Sequence, residues 1–250
     1  MAISYRTAEE IEKLRVANQI VVAAHKHLEQ LVKPGVTTKQ LDKEAEELIL
    51  DLNGRPSFKG YRGFPATLCV AINDQVVHGI PSDRELQAGD IVGLDLGVEC
   101  KGYYGDAAQT IAVGKISSKA QDLINVTRES LYQGISKIKA GGRLSDISHA
   151  IQSYVESHNY SVVKSFVGHG IGVSPHEDPQ VPNFGPPGHG VKLKDGIVLA
   201  IEPMVNEGVA DIEILDDDWT AVTTDGKLSA HFEHSVALLD GEAIILSEFN

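Results

Sequence analysis

Ile91–Val113, IVGLDLGVECKGYYGDAAQTIAV, is the stretch that decides the fold. It reads as two β-strands rich in Val, Ile and Leu, joined by a tight turn around Cys100–Gly102. Asp95 lies in the first strand and Asp106 in the second, so closing the hairpin brings the two carboxylates nearly opposite each other. Like charges facing each other across a ladder destabilise the pair and favour protonation. Either a divalent cation is clamped between them, or this is a surface hairpin with two solvated acids. For a lone pair the second reading is the commoner one. The first gains only if more oxygen and imidazole donors follow downstream.

They do follow. His169 lies in GHGIG (168–172), where flanking glycines let the backbone come close to whatever the imidazole faces. His176 follows within PHEDP (175–179). Glu202 interrupts the apolar run IVLAIEPMV, and Glu233 precedes the apolar VALL in HFEHS (231–235). A carboxylate in such a run is costly to bury unless it is paired or binds metal, although a strand-end Glu next to Pro203 could also face solvent. His78 is a polar residue inside VVHGIP (76–81), and His189 in PPGHG reads as an ordinary loop residue. Asp95, Asp106, His169, Glu202 and Glu233 together offer hard oxygens and one nitrogen, a set suited to Mn, Fe, Co or Zn. Four carboxylates are too much negative charge for one ion, whereas two divalent ions sharing bridging carboxylates balance it. The chain has no HExxH, Cys-based zinc motif, P-loop or GxSxG.

The rest of the chain reads as helices and strands in a repeated order. Thr7–Glu10 is a capping box opening a helix to about Lys33, stopped by Pro34-Gly35. A second helix starts near Thr37 or Thr38 and ends at Asn53-Gly54, and a strand TLCVAI follows. A third helix opens at Ser118 and reads to about Ile138; a fourth runs from about Ser145 to Ser157, before strand-like SVVKSFV at 161–167. At a constant offset, Gly35, Leu41, Ala45 and Ile49 fall on Gly141, Ile147, Ile151 and Val155. The expectation is an α+β fold with an internal duplication, one catalytic domain spanning 1–250 whose halves meet near 114–118. Two unrelated helix pairs are the alternative. A cleft between duplicated halves is a natural place for a site.

At 250 residues the chain can bury a full core, and 42% hydrophobic with 23% charged residues is ordinary for a globular protein. A net charge of −13 argues against nucleic acid as the main partner. Two cysteines, Cys69 and Cys100, give no disulfide framework and suit a reducing compartment. No apolar run approaches transmembrane length, so no membrane partner is expected and the cytoplasm is the expected location.

The motifs VVHGIP, the Asp95/Asp106 pair, GHGIG with PHEDPQV (175–181), IEPMVN (201–206) and DDWTAVTTDGKLSAHFEHSV (217–236) resemble those of the type I methionine aminopeptidases. These share the pita-bread fold with aminopeptidase P, prolidase and creatinase. The resemblance covers nearly the whole chain in order. It implies two pseudo-symmetric α+β halves, with a central antiparallel sheet and helices on the outer face. It implies removal of N-terminal methionine from nascent proteins and peptides, with a small second residue preferred, through attack of a metal-bridging hydroxide on the scissile bond. By resemblance Asp95, Asp106, His169, Glu202 and Glu233 are the ligands of two divalent ions, with Asp106 and Glu233 bridging. Glu202 would also carry the proton to the leaving amine, His78 and His176 would contact substrate, and Tyr61, Phe64, Cys69 and Trp219 would line the methionine pocket. A monovalent cation near Asn73, Gln75 and Ser229, transient ribosome association and a monomeric state are further implications.

Some positions depart from the bacterial pattern. Phe58 stands where a small Cys is common, Phe64 replaces a Tyr, Pro175 replaces an aromatic residue, and Gly97 stands where a Thr is common. Two rival readings are a proline-directed peptidase on the same fold and a metal-free binding protein.

Overall fold

The central hairpin forms as Ile91–Cys100 and Tyr103–Ala112, ten residues each. A computed structural model describes residues 3–249. Lys101 and Gly102 make the turn with φ of 52° and 82°, the left-handed pair that a two-residue turn needs to match strand twist. That turn fixes the register. Asp95 pairs with Ala108 and Asp106 pairs with Gly97, so the two acids share a face but sit diagonally, two residues out of register rather than nearly opposite.

Around the hairpin grows a nine-stranded sheet among the described residues. Its main path runs from Arg55–Pro56 through the hairpin to Glu233–Leu239, Val198–Ile201, Gly168–Gly170 and Glu177–Val181, antiparallel throughout. Cys69–Ile72 pairs onto the first hairpin strand and Glu242–Ile245 onto Glu233–Leu239.

Alternation along each strand assigns the two faces. Val92, Leu94, Leu96 and Val98 are buried with Leu28, Leu41, Ala45 and Ile49, which come from α1 (Ala8–Leu31) and α2 (Thr38–Asp51). Leu199, Ile201, Val236 and Leu238 are buried with Leu123, Ile147, Ile151 and Val155, from α3 (Ser118–Ile135) and α4 (Leu144–Ser157). Each helix pair therefore covers one half of the same sheet face. Reciprocal capping boxes, Thr7 with Glu10 and Thr37 with Gln40, satisfy the first amides of α1 and α2. Ser117 rather than Ser118 caps α3, its hydroxyl accepting from the Ala120 amide, and α3 ends at Ile135, short of Ile138.

Two sequence expectations for strands are corrected. Of 161–167 only Ser161–Val162 is strand; beyond it the chain turns inward, and Phe166 packs edge-on against the His78 ring at 5.1 Å. The run IVLAIEPMV is broken, because Pro203 has no amide to donate. Val198–Ile201 belongs to the central sheet, and Met204–Asn206 joins a three-stranded sheet with Ser229–His231 and Ser161–Val162. Glu202 stands at that change of sheet. No helix is long and apolar enough to cross a membrane among the described residues.

Candidate metal centre

The sheet face away from the helices carries the donors. Cys69 pairs with Asp95, Asp95 with Ala108, and Ala108 with Glu233. Glu202 follows the His234–Ile201 pair by one residue, and His169 pairs with Ala200. The residues paired with these donors are small: Ala108 pairs with both Asp95 and Glu233, and Ala200 pairs with His169. Close packing of the His169 strand is possible because a Cβ at Gly168 would lie 2.3 Å from the Ala200 carbonyl oxygen, and one at Gly170 would lie 2.3 Å from that of Asp178.

These side chains line one cavity of about 140 Å³. Asp95, Asp106, His169, Glu202 and Glu233 line it, and so do His78, His176, Tyr61, Phe64, Cys69 and Trp219. Every catalytic, metal-ligating and pocket residue named from the sequence thus reaches a single space. Asp106, His169 and Glu233 form its tightest group, offering ligand atoms within 4.8 Å of one another. Asp95 and Glu202 line the same space outside that trio. Asn73, Gln75 and Ser229 lie elsewhere, where the Ser229 amide donates to the Asn73 carbonyl at 2.8 Å.

The electrostatics are those of a cation site. Burial drives Asp106, Glu202 and Glu233 well above the ordinary carboxylate range, with repulsion from neighbouring acids adding to it, and burial pushes Asp95 up to about 7. Asp95 Oδ1, Asp106 Oδ1 and Glu233 Oε1 are buried with no hydrogen-bond partner among the described residues. Burial lowers His169 to about 4 and keeps it neutral. Its Nδ1 donates to the Gly170 carbonyl at 2.9 Å, which leaves Nε2 as a bare lone pair 3.5 Å from Glu202 Oε1. Two acceptors facing each other at that distance need a shared proton or cation. Unsatisfied oxygens, one aimed imidazole lone pair and excess buried negative charge fit divalent metal.

Beside the donors lies an apolar wall. Phe64 meets Trp219 edge-on at 5.1 Å, Phe58 and Cys69 complete the wall, and Tyr61 stacks on His176 at 5.2 Å. His176 lies 4.3 Å from the His169 ring. His78 holds φ at 60°, a strained left-handed backbone for a non-glycine residue, and so turns its ring into the cavity. Burial pushes the Cys69 thiol pKa up and keeps it a neutral wall residue.

Sequence reading assigned no site role to His231, Phe166 or Arg62. His231 is buried, with Nε2 4.0 Å from Glu202 Oε2 and without a hydrogen-bond partner among the described residues. Its position two residues before Glu233 was the available signal. Phe166 was hidden in an apparent strand, and Arg62 is an exposed cation at the cavity mouth, over the Tyr61 ring.

The fold and the donor set define a hydrolytic metal centre of the metallopeptidase kind, and the profile of metallopeptidase family M24 matches residues 12–240. Methionine aminopeptidase 1 of Bacillus subtilis is 51% identical over 94% of this chain and 95% of its own length. The Clostridium acetobutylicum methionine aminopeptidase is 54% identical over 95% and 96%. The methionine aminopeptidase structure from Rickettsia prowazekii superposes with a TM-score of 0.98 at 39% identity, covering 99% of this chain and all of that one. Prolidase from Pyrococcus furiosus shares the fold, with a TM-score of 0.81 at 21% identity over 98% of this chain and 66% of its own. The chain belongs to metallopeptidase family M24 and, within it, to the methionine aminopeptidases.

Proposed function

We propose that this protein is a type I methionyl aminopeptidase that removes N-terminal methionine from peptides and nascent chains, with a small second residue preferred. The observation that carries the reading is that the carboxylate cluster and the aromatic slot are walls of one cavity. Asp95, Asp106, His169, Glu202 and Glu233 would hold two divalent ions, Co, Mn, Fe or Zn, which supply Lewis acidity and a water acidic enough to act as nucleophile near neutral pH.

The chain's own side chains account for the rest. Phe58, Phe64, Cys69, Tyr61 and Trp219 take the thioether side chain, a polarisable group that packs well against aromatic rings. Burial lowers both His78 and His176, the latter to about 3, so each reaches substrate as a neutral imidazole able to donate one N–H. His176 is placed to steady the oxygen of the scissile carbonyl, and His78 lies toward the amide nitrogen. Glu202, whose affinity for a proton is raised by burial and by Asp95 and Asp106, takes a proton at its carboxylate from the attacking water and passes it to the leaving amine.

The same reading makes residues 1–250 one catalytic domain with halves meeting near 114–118, acting as a cytoplasmic monomer. It also places a monovalent cation among carbonyls near Asn73, Gln75 and Ser229. Any encounter with the ribosome is brief, because a net charge of −13 offers no basic tract for RNA.

The test is release of free methionine from Met-Ala-Ser by chelator-stripped protein, with and without Co or Mn. Release that depends on added metal supports the reading. Cleavage of Xaa-Pro peptides instead would move the protein to the proline-directed branch. Folded protein inert with every metal would leave a binding role.

A further inference from the structure

His176 sits in the bend just ahead of the strand Glu177–Val181, and irregular backbone is a poor place to hold a ring to within a fraction of an ångström. Its neighbour Glu177 explains how the loop is held. Glu177 Oε1 accepts the amides of Val173 at 2.8 Å and Ser174 at 3.2 Å, which closes the loop on itself. Both Glu177 oxygens also accept from a guanidinium nitrogen of Arg6, at 2.6 and 2.5 Å, across 171 residues of sequence. The pair is largely buried, with 10% and 13% of the two side chains exposed. The Arg6 guanidinium packs against Gly172, the last glycine of GHGIG: a Cβ there would come within 2.1 Å of it. The Arg6 backbone is pinned in turn, its amide donating to the Gly196 carbonyl at 2.7 Å, and a Cβ at Gly196 would meet the Arg6 carbonyl oxygen at 2.5 Å. Arg6 is therefore fastened by its backbone to the turn ahead of Val198–Ile201 and by its side chain to the bend that carries His176.

We propose that Arg6 and Glu177 are positioning residues for His176, an inference that rests on the role given to His176 above. Neither touches the cavity. They act by fixing the backbone on both sides of the imidazole, so that its ring stays stacked on Tyr61 and against His169. Among the described residues Glu177 accepts from Arg6, Val173 and Ser174, and the Arg6 guanidinium is the charged donor of the three.

The experiment compares metal-loaded parent, Arg6→Ala, Arg6→Lys, His176→Ala and the double variant Arg6→Ala/His176→Ala on Met-Ala-Ser. Thr37→Ala serves as the control, because it removes the cap of α2 and lowers stability far from the loop. Arg6→Ala is expected to lower kcat by about tenfold to a hundredfold with KM within about twofold, the scale of a small misplacement of a reacting group. Arg6→Lys should recover most of that loss. Metal affinity by calorimetry should not change, and the ring-proton resonances of His176 should move off their stacked positions. Arg6→Ala should add nothing on top of His176→Ala. Parent-like kcat in Arg6→Ala, or a loss no greater than in Thr37→Ala, overturns the inference, and so do losses that multiply in the double variant. If His176→Ala itself keeps the parent kcat, the role of His176 falls and the inference falls with it. If His176→Ala is crippled and Arg6→Ala is not, only the positioning role fails.

Discussion

Leu94 and Asp95 are neighbours in one strand, and they belong to two different regimes. Leu94 and its partners at 92, 96 and 98 are buried against α1 and α2, with apolar contacts on every side. Asp95 points the other way, with a buried oxygen that finds no hydrogen bond among the described residues. The helix-covered face holds the fold together. The cavity face works against it, gathering four acids whose charges burial opposes. One face can carry that load because the other is packed so fully, and a functional site commonly stores its strain this way.

The comparison predicts opposite behaviour for substitutions on the two faces. The largest effect belongs to Asp106→Asn. It should lower methionine release by about a thousandfold or more, the scale of losing a charged group at a reaction centre. Without metal the same variant should melt above the metal-stripped parent, because one buried charge has been removed. A variant that keeps a tenth of the activity, or melts lower when stripped, would sink the assignment of Asp106 to the cation. Leu96→Ala on the opposite face should do the reverse. A fully buried leucine cut to alanine costs about 2–5 kcal/mol of unfolding free energy, read from denaturant curves, while metal affinity by calorimetry stays at the parent value.

A smaller effect belongs to Gly97, which pairs with Asp106. A Cβ there would lie 2.2 Å from Ser57 Oγ and 2.9 Å from the Phe58 ring. Ser57 Oγ and the Phe58 ring together occupy the space that a larger residue at 97 would need. Gly97→Thr should destabilise by about 1–3 kcal/mol through overpacking. Adding Phe58→Cys should return part of that loss, and a double-mutant cycle with no coupling would separate the two positions.

How far the sequence disclosed these features depends on the distance over which each is determined. The caps at Thr7 and Thr37 lie within three residues of their partners, and they placed the starts of α1 and α2. The donors were legible because a carboxylate inside an apolar run violates a local rule, as at Glu202 and Glu233. Register was less legible: the diagonal offset of Asp95 and Asp106 depends on which two residues make the turn. Pro203 was visible, but its consequence, a change of sheet at Glu202, is a tertiary one. The end of the strand before 163–167 goes with a contact between Phe166 and His78 that no local pattern records. The Arg6–Glu177 pair joins opposite parts of the chain, and periodicity carries no information at that separation.

The smallest effect is a pH dependence, and it arises on the helix-covered face. His25 is buried on α1, its Nε2 donating to the Ala107 carbonyl at 2.9 Å, and Phe249 lies against its ring at 4.8 Å. Its Nδ1 faces the Gln109 amide nitrogen at 3.4 Å, which offers a hydrogen to the neutral ring. Burial lowers its pKa to about 4, against about 6.5 in an unfolded chain. The unfolded chain therefore takes up the proton first as pH falls. The stability this neutral ring allows is fully present above about pH 6.5 and is lost progressively toward pH 4. Between pH 7 and 5.5 the loss should be about 1 kcal/mol, or about 2–4 °C in Tm for a chain of this size. His25→Gln keeps an N–H donor and removes the titration, so its Tm should fall less over that interval than the parent's. Equal slopes for parent and variant would assign the acid sensitivity to other groups and leave His25 as a packing residue alone.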